Sequence, residues 1–383
     1  MRVRLLADDL TGALDASVRL TRHGRGLPVV WDVAAALKDN GALALVTHTR
    51  EGFAEDAVRA ICSLREFWRA DSLAFKKIDS LWRGNTTVEV IALIESKVFA
   101  TVLIAAAFPE QNRITSDGRQ YWRRSPSESW QLVPQNLRSE MIQRGIVVNV
   151  VAADAIRHSL SSSSMSVAGV WMCDAQSNAD LEAIVEFGSR ADGPLLWCGT
   201  AGLAGALGDA FNGGLHQMTP TRINRPVTAI VGTQHPVSRA QVGAIEAVED
   251  VSVLKIGIDR PLWDALIAHA VVQAAAGHPV VFWFTPDIKL DSDQAEAAMN
   301  DFLQRLVARY RPPGPLLVTG GETLFRLCRA AGATRLLTGM EVAPGVATGT
   351  FVDGLWGGIS FVSKSGAFGR PDFFTEFLHK GSI

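Results

Sequence analysis

The chain has 383 residues, 48% of them hydrophobic and 20% charged, with a formal net charge of -2. That length exceeds one compact core and predicts two domains, while the composition excludes a disordered chain. The near-neutral balance offers no broad basic field for nucleic acid or an anionic membrane surface. Cys62, Cys173, Cys198 and Cys328 lack CxxC spacing and nearby paired histidines, so neither a zinc site nor a disulfide framework is implied. A cytoplasmic location is the expectation. No apolar run reaches transmembrane length, and Asp8 and Asp9 arrive before a signal-peptide core could form.

The chain opens with Arg4-Leu5-Leu6-Ala7-Asp8-Asp9-Leu10-Thr11-Gly12-Ala13. A short apolar run, two carboxylates and a Thr-Gly pair before the helical spacing of Ala13 to Leu20 read as strand, polar turn and helix. Ligands of open α/β sheets bind beside the carboxyl ends of strands, which makes Asp8 and Asp9 candidates for substrate chemistry. The competing reading is that one aspartate only caps the helix. Leu27 to Trp31 and Ala42 to Thr47 read as further strands, the latter running towards Arg50, and Glu51 to Trp68 has helical spacing. This alternation predicts parallel βαβ units.

The strand Ser72 to Lys76 runs into Lys77-Ile78-Asp79-Ser80-Leu81-Trp82-Arg83-Gly84-Asn85, before a helix from Thr86 to Glu95. A guanidinium can grip a carboxylate with two parallel hydrogen bonds, and an aspartate can accept from hydroxyls, so the cluster suits a small sugar acid. Thr101 to Ala107 reads as a buried strand before Phe108-Pro109-Glu110-Gln111-Asn112-Arg113. Tyr121 to Asn136 reads as an irregular excursion. Gly199 to Gly205 imitates a dinucleotide turn, but its G-x-x-G-x-x-G spacing reads as tight helix packing.

Phe211 to Pro226, with two glycines and two prolines, is the expected boundary, giving domains 1–218 and 219–383. Beyond it, the strand Val227 to Val231 ends in Gly232-Thr233-Gln234-His235. Leu316 to Thr319 leads into Gly320-Gly321-Glu322-Thr323 and a helix. Two glycines, a hydroxyl and a helix start make a phosphate cradle, with simple helix initiation as the competing reading. The stretch Gly358 to Ser365 is a near miss for a P-loop, rejected because Ser363 replaces the second glycine and another glycine loop follows.

Six of these motifs occur together and in order: Asp-Asp-Leu-Thr-Gly-Ala, Lys77 to Asn85, Phe108 to Arg113, Gly320 to Thr323, Pro344-Gly345, and Lys364-Ser365-Gly366-Ala367-Phe368-Gly369. With them the chain resembles the four-carbon acid sugar kinases over nearly its whole length. The resemblance implies two α/β domains, each on a mostly parallel sheet flanked by helices, with the active site in the interdomain cleft. The first would bind the sugar acid and the second ATP, with Mg²⁺ bridging the phosphates. Asp8 or Asp9 would serve as base, and Thr11, Gly12, Arg50, Lys77, Asp79 and Arg83 would face the acid. Thr233, His235, Gly320, Gly321, Glu322, Thr323, Gly345 and Gly366 would face the nucleotide.

Two departures are visible. Family members carry Ser-Thr-Leu-Arg-Gly where this chain has Ser80-Leu81-Trp82-Arg83-Gly84, and a second serine where it has His235. The expected partners are a sugar acid and ATP or ADP, with no nucleic acid or membrane, and a homodimer is an open assembly. A nicotinamide oxidoreductase is disfavoured by the missing G-x-G-x-x-G turn. A non-catalytic sensor on the same fold is the alternative function.

Overall fold

The computed structural model describes residues 2–21, 26–161, 167–212, 226–285 and 292–380. The chain divides into two compact units, Met1–His216 and Gln217–Ile383. Most of the expected boundary segment, residues 213–225, lies outside the described residues.

The amino-terminal unit alternates strands and helices. In chain order these are β1 (Arg2–Ala7), α1 (Leu10–Leu20), β2 (Pro28–Val30), α2 (Val33–Lys38), β3 (Leu43–Val46), α3 (Ala54–Ser63), β4 (Ser72–Lys77), α4 (Thr86–Glu95) and β5 (Thr101–Ala105). A hairpin follows, β6 (Arg113–Ser116) and β7 (Arg119–Trp122), then β8 (Gln131–Leu132), α5 (Leu137–Gln143), β9 (Val148–Val151), α6 (Ala153–Ser161), β10 (Gly169–Cys173), α7 (Asn178–Gly188), β11 (Leu195–Gly199) and α8 (Ala201–Asn212).

Its sheet runs β2-β3-β1-β4-β11-β5-β10-β9, with every pairing parallel. Parallel strands must be covered on both faces, which is why β1 and β3 are runs of buried aliphatics rather than alternating patterns. One face packs Leu6, Leu45, Ile104 and Leu196 together with Ile78 and Trp82. From β1 the chain winds to one side of the sheet, and from β4 to the other. The crevice between the carboxyl ends of these neighbouring strands is therefore a topological switch point.

The stretch expected to be an irregular excursion is in part a small antiparallel sheet, β6-β7-β8. Its strands are four, four and two residues long, too short for periodicity to reveal. Helix α1 begins at Leu10 rather than Ala13, because Asp9 caps it. Ser177 caps α7, in a reciprocal capping box with Asp180.

The carboxy-terminal unit contains β12 (Thr228–Val231), α9 (Pro236–Ile245), β13 (Ser252–Ile256), α10 (Arg260–Ala275), β14 (Val280–Phe284), α11 (Ser292–Arg309), β15 (Leu316–Thr319) and α12 (Gly321–Ala330). It closes with β16 (Arg335–Ala343), β17 (Val346–Phe351), β18 (Ser360–Lys364) and the short helix α13 (Phe373–Thr375). Its sheet runs β13-β14-β12-β15-β18-β17-β16, parallel through β18 and antiparallel where β17 meets β18 and β16. The switch point here falls between β12 and β15. Among the described residues no helix is long and apolar enough to cross a membrane.

Candidate active site

In the amino-terminal unit, the turn after β1 presents Asp8 and Asp9 at the switch point. Asp9 is extended, and its Oδ1 accepts the Gly12 backbone N–H at 2.9 Å, which ties the start of α1. The capping reading holds for this oxygen, while the other, Oδ2, accepts Arg50 Nη1 at 2.8 Å. Arg50, just past β3, also donates Nε and Nη2 to the two oxygens of Asp8, each at 2.9 Å. Thr11 and Gly12 form the first turn beside them, and a side chain on Gly12 would begin 3.2 Å from Lys77 Nζ. Lys77 is buried and donates to the Ile78 carbonyl at 2.9 Å.

The loop after β4 is organised by one carboxylate. Asp79 Oδ1 accepts Leu81 N at 2.9 Å and Arg83 Nε at 3.0 Å, and Oδ2 accepts Arg83 Nη2 at 2.7 Å. Arg50 Nη1 stands 3.9 Å from the same Oδ2. Trp82 adopts φ +55°, which costs a residue with a side chain about 1–3 kcal/mol. The loop tolerates this because the indole is buried in the core, a contribution of roughly 3–5 kcal/mol by the measure of truncating such a side chain. Gly84, at φ +64°, allows the loop to close on the Arg50 main chain, where a Cβ would lie 2.5 Å from the carbonyl oxygen.

These contacts separate the acidities of the neighbours. Burial pushes Asp8 upward, but Arg50, Lys76 and Lys77 outweigh it and hold the carboxyl below its ordinary range. For Asp9, burial and the adjacent Asp8 charge win over Arg50, and the carboxyl is raised. Burial also acts against Asp79, but the Arg83 bonds and charge hold it well below the usual range. Two adjacent carboxyls driven apart in this way suit distinct roles, one permanently charged and one able to exchange a proton.

In the carboxy-terminal unit a cavity of about 410 Å³ opens at the switch point between β12 and β15. Its apolar wall includes Ile256, Trp263, Phe284 and Met299, and its polar edge is Thr233 with the Gly320–Thr323 turn. That size falls within the usual range for small-molecule sites. Gly320 precedes α12 at φ +94° and ψ 129°, a conformation open to glycine almost alone. Gly320, at the cap position, has no side chain to bond the first-turn amides of α12, which suits that turn to meeting an anion. Glu322 also lines the cavity, with its carboxylate paired to Arg326 at 2.9 Å.

The remaining nucleotide candidates lie at other distances from this cavity. His235 is exposed and caps α9, its Nδ1 accepting Val237 N at 3.3 Å. Gly366 packs on Thr233, where a Cβ would lie 2.6 Å from Oγ1. Gly345 turns the β16–β17 hairpin against Phe368. None of these three lines the cavity. The Gly366 loop is held from behind by Lys364, whose Nζ donates to the carbonyls of Phe368 and Ser365 at 3.0 and 3.1 Å. Burial alone pushes this lysine down to about 8.

Sequence reasoning missed the apolar wall of the cavity, because Ile256, Trp263 and Phe284 sit in three separate elements with no motif in common. It assigned no role to Lys76 or Glu89, which are both buried at the sugar-acid crevice. Among the described residues no group of three or more His, Cys, Asp or Glu side chains could hold a metal ion.

One unit thus carries a crevice lined with carboxylates and cations, and the other a cavity beside a helix start. Two family models match the chain. A sugar-binding N-terminal domain matches residues 3–207 and a nucleotide-binding C-terminal domain matches residues 228–374. The chain belongs to the four-carbon acid sugar kinase family.

It is 27% identical to a D-threonate kinase of Cupriavidus necator, over 89% of this chain and 88% of that protein. It is 29% identical to a 3-oxo-tetronate kinase of the same organism, over 98% and 96% of the two chains. A crystal structure of a Salmonella typhimurium protein superposes with a TM-score of 0.76 at 20% identity, covering 99% of both chains, and shares the fold.

Proposed function

We propose that the chain is an ATP-dependent kinase that phosphorylates the terminal hydroxyl of a four-carbon sugar acid of the threonate, erythronate or oxo-tetronate type. The observation that carries this reading is the paired Asp8 and Asp9 clamped by one arginine, with Asp8 held charged and Asp9 raised.

Phosphoryl transfer needs alignment and charge stabilisation more than covalent help from the protein. In this account Asp9 orients the acceptor hydroxyl and takes its proton, while Asp8 and Arg50 fix its position. Arg83 uses Nε and Nη2 on Asp79, which leaves Nη1 on a side chain 62% exposed for the carboxylate of the acid. Lys77 adds positive charge beside Gly12. Backbone amides at Gly320 and Gly321, with the Thr323 hydroxyl, receive the nucleotide phosphates. Mg²⁺, when bound, would neutralise phosphate charge; among the described residues no group of three or more acidic, His or Cys side chains would hold it, so the nucleotide itself would have to supply most of its ligands. Water is the competing acceptor, so the acid must be shielded from it during transfer.

The test is ADP formation from ATP in the presence of D-threonate, D-erythronate or a 3-oxo-tetronate. The expected result is ADP produced with at least one of these acids and lost in Asp9→Asn. Binding of both ligands without ADP from any four-carbon acid would replace the kinase reading with that of a sensor.

A further inference from the structure

We propose that the buried Lys76–Glu89 pair is a positioning device for the sugar-acid site: through Thr49 it fixes where Arg50 stands. The inference rests on the kinase reading above and adds residues that no part of that reading uses.

Lys76, on β4, and Glu89, on α4, meet at 2.6 Å with side chains 1% and 0% exposed. Taking two charges so far from water costs several kcal/mol per ion, and an apolar pair of similar volume would often serve stability as well or better. Packing alone therefore gives a weak reason for an ion pair here. Its connections give a stronger one. The second oxygen of Glu89 accepts the Thr49 hydroxyl, the Thr49 oxygen accepts the Thr47 hydroxyl at 2.7 Å, and the Thr47 backbone N–H donates to the Ala7 carbonyl at 2.9 Å. The Thr49 carbonyl in turn accepts Asn85 Nδ2.

This network fixes the residues immediately before Arg50 and immediately before Asp8. From that position Arg50 spans Asp8 and Asp9.

The experiment uses the full chain and three variants. Lys76→Met/Glu89→Leu removes both charges while keeping bulk, so no buried charge is orphaned. Thr49→Val cuts the link to Arg50 and keeps the pair. Thr49→Ser restores the hydroxyl. With a thermal melt confirming the fold, the double variant should lose about tenfold or more in kcat, as expected when catalytic groups shift slightly. KM for ATP should stay at the parental value.

Thr49→Val should lower kcat several-fold and Thr49→Ser should recover it. A folded double variant with parental kcat, or a Thr49→Val variant with parental kcat, would overturn the inference. Should the double variant not fold, the two Thr49 variants decide alone. A parental chain that forms no ADP with any four-carbon acid would instead sink the kinase reading itself.

Discussion

Arg50 grips Asp8 with a two-bonded fork, Nε and Nη2 each 2.9 Å from one carboxylate oxygen, and spends its remaining nitrogen on Asp9. The fork fixes the more buried carboxylate as an anion. Asp9, held by a single charge-assisted bond and the start of a helix, keeps the freedom to accept a proton.

Asp9→Asn should abolish turnover while leaving the fold intact, since asparagine retains the oxygen that caps α1. ATP binding should be almost unchanged. In the parent, a raised carboxyl acting as base must be deprotonated, so activity falls as pH drops and the acid limb lies above the ordinary value of about 3.9. A pH–rate profile, with calorimetric titration of ATP against the variant, checks both statements. Near-parental turnover would pass the role of base to Asp8.

Arg83→Lys keeps the charge and loses the planar fork on Asp79, which should loosen the loop and raise KM for the acid roughly tenfold, about 1.4 kcal/mol. Steady-state kinetics with the acid varied reads this out. An unchanged KM would remove Arg83 from the site.

The lowered pKa of Asp79 is also a statement about stability. Its folded value is depressed, so its contribution is fully present at neutral pH and is lost as pH falls below the unfolded value, about 3.9. Asp79→Asn should therefore be destabilised at pH 7, with the gap to the parent shrinking in acid. Denaturant melts at both pH values test it, and a gap that stays constant would mean that Arg83 does not hold this charge.

Lys364 carries the opposite sign. Its folded value is about 8, against about 10.4 in an unfolded chain, so between these the unfolded chain binds more protons and stability rises with pH. Relative to Lys364→Met, the parent should gain up to roughly 3 kcal/mol between pH 8 and pH 10.5. A flat difference across that window would show that the ammonium is not buried at a cost.

Gly320→Ala places a β-carbon on a backbone at φ +94°, which strains the turn before α12. ATP and ADP binding should weaken together while binding of the sugar acid is spared. Isothermal titration with each ligand decides it, and unaltered ADP affinity in a folded variant would place the nucleotide elsewhere.

Much of this arrangement was legible in the chain. Aliphatic runs that end in polar turns marked β1, β4, β12 and β15, and the residues after those runs, Asp8, Asp9, Asp79, Thr233 and Gly320, stand at the two switch points. Pairings were not legible. That Arg50 would clamp two aspartates depends on strands far apart in sequence lying side by side, and that Arg83 would turn back on Asp79, in the same loop, depends on how that loop folds. Lys76 read as the tail of a strand because its partner Glu89 sits on the following helix. Strands β6 to β8 were too short to show a period, and the cavity wall drew on single residues from separate elements.

The central claim is that phosphate reaches the terminal hydroxyl of a four-carbon acid. The direct measurement is the phosphorus and proton NMR spectrum of the product formed from ATP and D-threonate, or from whichever four-carbon acid supports ADP formation. The account predicts one phosphate ester coupled to the two protons of the terminal carbon. ATP consumed without any phosphorylated acid, or an ester at another carbon, would contradict it.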